Sequence, residues 1–411
     1  MVYMSVPDFV KKKTDHFLCD LIAIPSTRGN EGLASRYVQK EMASIMDRSE
    51  LVPIPDTIMD DPDYAFHLPG FSYANTPNVE CELLGSATGK RILFNTHLDV
   101  VPPSEGQNNA FIPTKTERKI FGRGACDAKG QAATLFALAW LFRARDIRPP
   151  GSLLFHFVVE EENGGNGTLA MIRRGVDADA AIVLEPSELY VIPAVRGAVW
   201  FELKVFGRAT HSGNMTGRIS ALDKAFEAIQ ILKEYHDRLL SESRGLPLFD
   251  VYPDPMPLTI GQCTAGNWPA SVPAEAVLKG LIGFLPNRNR HQIQEELYHA
   301  ISSQGDDWLR NHFELTFPML NNDGNSLSVD HPLVVGLLDS ATRTGGPARV
   351  RAMTASCDAW RYQNQAGIPT LVFGPGSLSV AHSKEEHIQL DEILLAAETL
   401  FDFCQTYGSV K

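Results

Sequence analysis

The chain has 411 residues, 44% of them hydrophobic, which is enough for a packed core and a length typical of two or three domains. Its net charge of −12 argues against nucleic acid or an anionic membrane as the main partner, because both attract clustered Lys and Arg. No stretch approaches the ~18 apolar residues of a membrane helix, and the amino terminus lacks the apolar segment of a signal peptide. The composition therefore predicts a soluble cytoplasmic protein.

Helices and strands alternate in the first part of the chain, as is typical of a doubly wound α/β sheet. Residues 56–78 are rich in Pro, Asp and aromatic side chains, and are predicted to form a surface loop. A substrate-facing or subunit-contact loop is the alternative. Apolar spacing predicts these elements: helical structure over 8–46, a strand over 90–100, a buried helix over 129–145, a strand over 153–159, a helix over 167–174 and a strand over 180–184.

From about Gly197 the predicted order of elements changes to strand-helix-strand-strand-helix-strand, which is the order of a ferredoxin-like unit. A candidate ligand, His382, lies beyond this unit, whereas the other candidate ligands precede residue 186, so the two outer segments must fold together. We predict a domain built from residues 1–196 and 319–411, interrupted by an inserted domain at 197–318. The later elements are strands over 198–206, 258–263, 276–284, 313–317 and 369–373, and helices over 220–240, 290–311, 332–342 and 391–407.

Imidazole and acidic side chains collect at the ends of the apolar runs. In an open α/β sheet, functional residues gather at the carboxyl ends of strands. A hydrolytic zinc site uses His nitrogen and Asp or Glu oxygen and leaves a position for water, so the pattern indicates a metallohydrolase. The candidates are His97 and Asp99 after 92–94, Asp127 in GRGACDAKG, Glu160, Glu161 and Glu162 after 153–159, Glu185 after 181–184, and His382 after 370–373.

Spacing indicates roles for His97, Asp99 and Asp127. Side chains two residues apart at a strand end point to the same side, so Asp99 can accept the second ring N–H of His97 and fix its tautomer. A satisfied buried pair is the alternative. Asp127 could be a helix cap. Three surrounding glycines, Gly122, Gly124 and Gly130, instead favour a backbone bent tightly around a ligand.

The three adjacent carboxylates at 160–162 repel each other at the end of an apolar strand, and a bound cation would offset that charge. Because successive side chains point to opposite faces, Glu162 could bind the metal while Glu161 faces the substrate as general base. A solvated acidic turn before Asn163 is the alternative. Glu185 adds one more carboxylate at a strand end.

The order and spacing of several motifs resemble the M20 metallopeptidase family, which includes acetylornithine deacetylase, succinyl-diaminopimelate desuccinylase, aminoacylase and the glutamate carboxypeptidases. The resemblance runs from about residue 10 to 408 and implies a zinc-peptidase-like mixed sheet with an inserted lid domain that forms a homodimer contact. The motifs are HLDVVPP, GRGACDAKG, VEEENGG, LEPS, GRATHSG, GPG and AHSKEEHI.

Carried over residue by residue, the resemblance implies a centre of two Zn²⁺ ions, with Co²⁺ or Mn²⁺ as substitutes. Asp127 would bridge the two ions. His97 and Glu185 would complete one site, and Glu162 and His382 would complete the other.

The resemblance also implies the surrounding machinery. Glu161 would be the general base and Asp99 the partner of His97. His211, in GRATHSG of the lid, would reach across the dimer to stabilise the oxyanion, with a loop histidine that has no catalytic part as the alternative. The Asp127-Ala128 peptide bond would be cis.

Three positions depart from the family pattern: Gly283 stands where many relatives have Arg available to a substrate carboxylate, Ser271 replaces the usual Asn, and Glu160 replaces Asp. The substrate is therefore left open. We predict a zinc-dependent amide hydrolase that removes an acyl group from a small N-acylated amine, with an N-acyl amino acid as the first expectation. A dipeptidase or carboxypeptidase, or a deformylase of a non-amino-acid amine, is the alternative, and a hydrolytically silent metal-binding protein is a remote one.

Overall fold

The computed structural model describes residues 6–86, 88–211, 213 and 216–409. No helix in these residues is long and apolar enough to cross a membrane. The α-helices of the described chain are α1 (Asp8–Ile22), α2 (Gly32–Ala43), α3 (Lys129–Ala144), α4 (Asn166–Arg174), α5 (Ala221–Glu242), α6 (Arg290–Gln304), α7 (Pro332–Thr344) and α8 (Leu390–Tyr407).

The strands of the described residues form two large sheets and one small one. Their bounds are β1 (Arg48–Val52), β2 (Asn78–Leu83), β3 (Ile92–His97), β4 (Thr114–Lys115), β5 (Lys119–Phe121), β6 (Leu153–Val158), β7 (Ala180–Val183), β8 (Val191–Val195), β9 (Gly197–Phe206), β10 (Leu258–Ala265), β11 (Glu275–Phe284), β12 (Phe313–Thr316), β13 (Asn321–Asn322), β14 (Asn325–Ser326), β15 (Val350–Met353), β16 (Thr370–Val372) and β17 (His387–Gln389).

The largest sheet has the strand order β1-β2-β6-β3-β7-β16-β8-β14, with β15 beside β8. Its centre is parallel, since β3 runs parallel to β6 and β7, and β16 runs parallel to β7. The outer pairs β1-β2 and β2-β6 are antiparallel. Ile92 and Phe94 pack in the cluster that includes residues of α1, α2, α3 and α8, whereas Leu93 packs on the opposite face near Tyr362. The expected doubly wound mixed sheet is confirmed.

The inserted domain contains the antiparallel sheet β10-β11-β9-β12. In chain order this is a 2-3-1-4 arrangement, the ferredoxin-like topology that the pattern predicts. Helices α5 and α6 contact its strands, and the apolar faces share one core. Ser220 caps α5 by accepting from Asp223 N, which fixes where the helix begins. β13 also pairs with β9, and the domain limits at 197 and 318 stay predictions.

Two predicted helices are interrupted in the structure. The helical pattern over 8–46 splits into α1 and α2, because Pro25 cannot donate a helical hydrogen bond and disfavours helix in the residue before it. The pattern over 290–311 ends at Gln304, and a short 3₁₀ turn (Leu309–Asn311) follows.

The predicted surface loop at 56–78 is packed rather than fully solvated. Asp56–Asp60 forms a 3₁₀ turn. Ile58, Tyr64 and Tyr73 are buried in a cluster with Val159, which directly follows β6. A substrate-facing or subunit-contact role for this segment stays a prediction.

Candidate metal centre

Four neighbouring strands place candidate residues at one edge of the large sheet. β6, β3, β7 and β16 are adjacent and parallel, so their carboxyl ends meet at the same edge. His97 is the last residue of β3, and Glu185 lies two residues beyond β7. Glu161 and Glu162 follow β6, and His382 lies in the loop after β16. The topology thus brings together residues that are far apart in the chain.

The ring of His97 is held with one nitrogen facing carboxylates. Its Nδ1 lies 2.9 Å from the backbone carbonyl of Asp99 and 3.5 Å from Oδ1 of the same residue. Because a carbonyl can only accept, Nδ1 carries the proton. Nε2 then faces Asp127 Oδ1 at 3.0 Å and Glu185 Oε2 at 3.9 Å. A ligand nitrogen in a metal site has this arrangement, with its second nitrogen bonded behind it.

Asp127 lies between two imidazoles. Its Oδ1 faces His97, and its Oδ2 lies 3.3 Å from Nε2 of His382. The same nitrogen of His382 lies 3.0 Å from Oε1 of Glu162. These two carboxylates raise the pKa of His382 to about 10, although its side chain is half-exposed. Asp127 is therefore placed to share its two oxygens between two sites.

The centre concentrates negative charge in a buried space. Burial raises the pKa of Glu161 and Glu185 well above the usual range, and their carboxyl groups repel each other. Burial and the Asp127 carboxylate raise the pKa of Glu162. Burial acts in the same direction on Asp127, but the imidazoles of His382 and His97 outweigh it and lower its pKa.

The donor set fits a divalent cation. Ligand atoms of His97, Asp127 and Glu162 all lie within 4.8 Å of one another. Imidazole nitrogen and carboxylate oxygen are the ligands that Zn²⁺ prefers, and a cation would offset the excess of carboxylates over imidazoles. Asp99 supports this arrangement from behind, because its carboxylate accepts from the backbone N–H of Glu161 at 3.1 Å and of Glu162 at 3.0 Å.

The structure adds two residues that sequence reasoning missed. The carboxylate of Glu386 accepts from the backbone N–H groups of Cys126 and Asp127, each at 3.1 Å. Its other oxygen pairs at 2.6 Å with Arg123, and both side chains are almost fully buried. Pairing of β17 with β5 brings Glu386 beside the loop that carries Asp127. Both residues lie inside the sequence motifs given above, but no spacing rule connects positions so far apart.

The Asp127-Ala128 peptide bond is cis, as expected.

The sequence also does not predict the surroundings of Gly283. A Cβ at this position would lie 3.0 Å from Nη1 of Arg196, so a guanidinium from another strand end occupies that space. Arg196 is buried and donates to the carbonyls of Thr354 and Gly197. No carboxylate among the described residues forms an ion pair with it, and burial lowers its pKa to about 10.

His211 lies apart from the carboxylates, in the connection between β9 and α5 of the inserted domain. Its side chain is exposed, its Nδ1 accepts from Gly213 N at 3.1 Å, and its backbone bridges to Ser271. In the part of the chain that the structure describes, it makes no hydrogen bond or ion pair with the centre. Its role across a dimer stays a prediction.

The model of peptidase family M20/M25/M40 matches residues 93–406. The chain belongs to this family. As an M20 protein it is a metallohydrolase that acts on amides, so the predicted enzyme class is confirmed.

Curated relatives of the family cover most of the chain. It is 29% identical over 365 residues to the N-formyl-4-amino-5-aminomethyl-2-methylpyrimidine deformylase of Bacillus subtilis, covering 82% of this chain and 85% of the relative. It is 30% identical over 366 residues to the enzyme of that name from Halalkalibacterium halodurans, covering 80% and 83%. A probable carboxypeptidase of Neosartorya fischeri is 27% identical over 401 residues, covering 91% and 82%.

Solved structures confirm the fold. An M20 metallo-carboxypeptidase from Sulfolobus solfataricus matches with a TM-score of 0.77 at 17% identity, covering 97% of this chain and 100% of the other. A Bacillus subtilis protein described as a dinuclear metal-binding M20 peptidase matches with a TM-score of 0.68 at 16% identity, covering 98% and 100%.

Proposed function

We propose that this M20 protein is a two-zinc amide hydrolase that removes an acyl group from a small N-acylated amine. The observation that carries this proposal is the position of Asp127, whose two carboxylate oxygens each face a different imidazole. A single-metal site would need no such sharing. Glu185 lies near His97 and Glu162 lies near His382, and these carboxylates would supply the remaining ligands of a two-metal centre.

In this proposal Asp127 would bridge the two metal ions. His97 and Glu185 would hold one, and Glu162 and His382 would hold the other. The metals would supply acidification of a bound water and polarisation of the substrate carbonyl.

Glu161 would move the proton. Glu161 is 9% exposed, and its carboxylate has no hydrogen-bond partner among the described residues. Both carboxylate oxygens therefore remain available to water and to the leaving nitrogen. A carboxylate in this position would accept a proton from the water and then return it to the leaving nitrogen. Asp99 would hold the backbone of Glu161 and Glu162 in place. His211 of the partner subunit's lid would donate to the oxyanion of the substrate.

Two kinds of amine are candidates for the leaving group. The buried guanidinium of Arg196 forms no direct ion pair among the described residues, although the Asp254 carboxylate acts on it from a distance. This supports an N-acyl amino acid, whose carboxylate would pair with it. The two deformylase relatives, at 29% and 30% identity, support an N-formylated amine that is not an amino acid. Both candidates share the same bond cleavage and differ only in what lies beyond the nitrogen.

A substrate screen tests the proposal. Zinc-loaded protein is assayed against N-formyl, N-acetyl and N-succinyl amines, with and without an α-carboxylate, and against dipeptides. We expect turnover of an N-acyl amine, and at least about 10²-fold slower turnover with Glu161→Gln prepared in parallel. Faster cleavage of dipeptides than of any N-acyl amine would replace the proposal with the peptidase alternative.

An Arg196→Gln variant separates the two amines. If Arg196 binds a substrate carboxylate, the KM for N-acyl amino acids rises while the KM for acylated amines without a carboxylate does not change. An equal effect on both classes would remove Arg196 from substrate recognition.

A further inference from the structure

Glu160 has partners that differ from those of the neighbouring carboxylates. Its side chain is fully buried. It forms an ion pair with Arg28 Nε, accepts a hydrogen bond from the hydroxyl of Tyr73, and accepts another from Asn166 Nδ2 at 3.0 Å. Its backbone has a φ of 58°, a left-handed conformation that is uncommon for a residue other than glycine. A carboxylate with a cation and two donors is an internal anchor rather than a free acid.

All three partners of Glu160 lead to one segment, residues 64–73, which we call the anchored loop. Tyr73 belongs to it. Arg28 donates from Nη2 to the carbonyl of Phe66 at 2.7 Å, and its guanidinium lies 4.5 Å from the centre of the Phe66 ring. The amide of Asn166 bonds Ala65 in both directions, at 3.0 Å to its N–H and 2.9 Å to its carbonyl. Glu160 is thus the common acceptor that joins the loop to the end of β6.

The turn that carries Glu161 is closed tightly on the same loop. The carbonyl of Glu160 accepts from Gly165 N at 2.9 Å, and the carbonyl of Glu161 accepts from Gly164 N at 2.9 Å. A Cβ at Gly164 would lie 2.5 Å from Cβ of Ala65, so the loop and the turn are already in close contact. A shift of the loop would therefore be transmitted to the backbone of Glu161.

We propose that Glu160 is a positioning residue that uses the anchored loop to fix the direction of Glu161 and Glu162. Asp99 holds their backbone N–H groups from one side, and Glu160 holds the preceding backbone from the other. The motif usually has Asp at this position. The additional methylene of Glu would give the carboxylate the reach it needs to meet Tyr73 and Arg28 together. The proposal rests on the function proposed above, in which Glu161 is the base.

Conservative variants test this role. Tyr73→Phe removes one hydroxyl, which binds Glu160 and also lies 3.1 Å from the hydroxyl of Tyr64, and Glu160→Asp shortens the reach by one methylene. A control is Tyr235→Phe, which removes the hydroxyl by which a buried tyrosine of the inserted domain binds the half-exposed Glu296 carboxylate at 2.7 Å. The kcat, KM, metal content and unfolding midpoint of each variant are measured with the substrate found in the screen.

We expect kcat to fall about 10- to 100-fold in Tyr73→Phe and Glu160→Asp, because a small misplacement of a catalytic group has effects of that size. KM should stay unchanged, and any loss of metal should be confined to the ion that Glu162 would hold. The double variant should be no slower than the worse single variant, since both changes act through one contact. Tyr235→Phe should leave kcat unchanged. A lower unfolding midpoint with normal kcat would mean that Glu160 only supports the fold, and would overturn the proposal.

Hydrogen exchange supplies a readout that needs no substrate. The amides of Glu161 and Glu162, which bond to Asp99, should exchange faster in Tyr73→Phe and at the normal rate in Tyr235→Phe. Unchanged exchange at both amides would overturn the positioning role. Normal turnover in Glu161→Gln would instead defeat the proposed function, and the exchange result would still decide whether the loop positions this turn.

Discussion

Replacing Glu386 with Gln should destabilise the protein strongly. The variant keeps an amide oxygen that can accept from the N–H groups of Cys126 and Asp127, but it loses the charge that pairs with Arg123. The side chains of Arg123 and Glu386 are 1% and 0% exposed, so water cannot take over from the lost partner. Removal of one member of a buried ion pair costs about 3–5 kcal/mol, because the other charge stays buried and unpaired.

An exposed ion pair provides the control. Glu50 pairs with Arg174 at 2.9 Å, and the two side chains are 55% and 48% exposed. Glu50→Gln is the same chemical change, and we expect it to cost about 0–1 kcal/mol because solvent screens both charges. The comparison isolates the effect of burial on a Glu-to-Gln change.

The assay is urea unfolding of metal-free protein, followed by circular dichroism. Burial raises the pKa of Glu386, so the measurement is made at mildly alkaline pH to keep its carboxylate charged. The expected result is a loss of several kcal/mol in Glu386→Gln and little change in Glu50→Gln. Equal and small losses in both variants would refute the view that the Arg123–Glu386 pair holds the Asp127 loop.

Two further predictions concern the centre itself. Asp127→Ala should strip or greatly weaken both metals, whereas Glu185→Ala or Glu162→Ala should affect mainly one, because Asp127 is the only described residue that faces both imidazoles. Two full equivalents of zinc in Asp127→Ala by elemental analysis would contradict the bridging role. Mixing the His211→Ala and Glu161→Gln variants under subunit exchange should restore part of the activity, because one site of a mixed dimer then has both groups. If mixed dimers are confirmed by mass and no activity returns, His211 acts within its own chain or not at all.

The centre of the fold could be predicted because its signals are local. β3 and β6 are buried on both faces, and each begins with an apolar run of three residues, 92–94 and 153–155. The imidazole and acidic residues that end or follow the two strands mark their carboxyl ends. Two strands of the large sheet, β1 and β8, have no such signal and were not predicted. β1 alternates exposed and half-buried positions, and β8 contains Pro193, which argues against a strand although β8 pairs with β14, β15 and β16.

Long-range contacts explain the parts of the site that were not predicted. Arg123 and Glu386 are 263 positions apart, and the sequence around either residue does not indicate that the two form an ion pair. Arg196 lies beside Gly283 because of the register in which β9 and β11 pair. The sequence of either strand alone does not determine that register. The anchoring of residues 64–73 likewise depends on Arg28, which lies before α2 and is therefore far from the loop in sequence.

The most direct test of the two-metal hydrolase is the turnover of Glu161→Gln, measured together with its zinc content. The amide keeps the shape of the side chain and loses the base, so kcat should fall at least about 10²- to 10⁴-fold, the usual contribution of a general base. Because Glu161 would also return the proton to the leaving nitrogen, the loss should lie at the upper end or beyond. Both zinc ions should remain bound. A near-normal kcat in this variant would contradict the account, whatever its metal content.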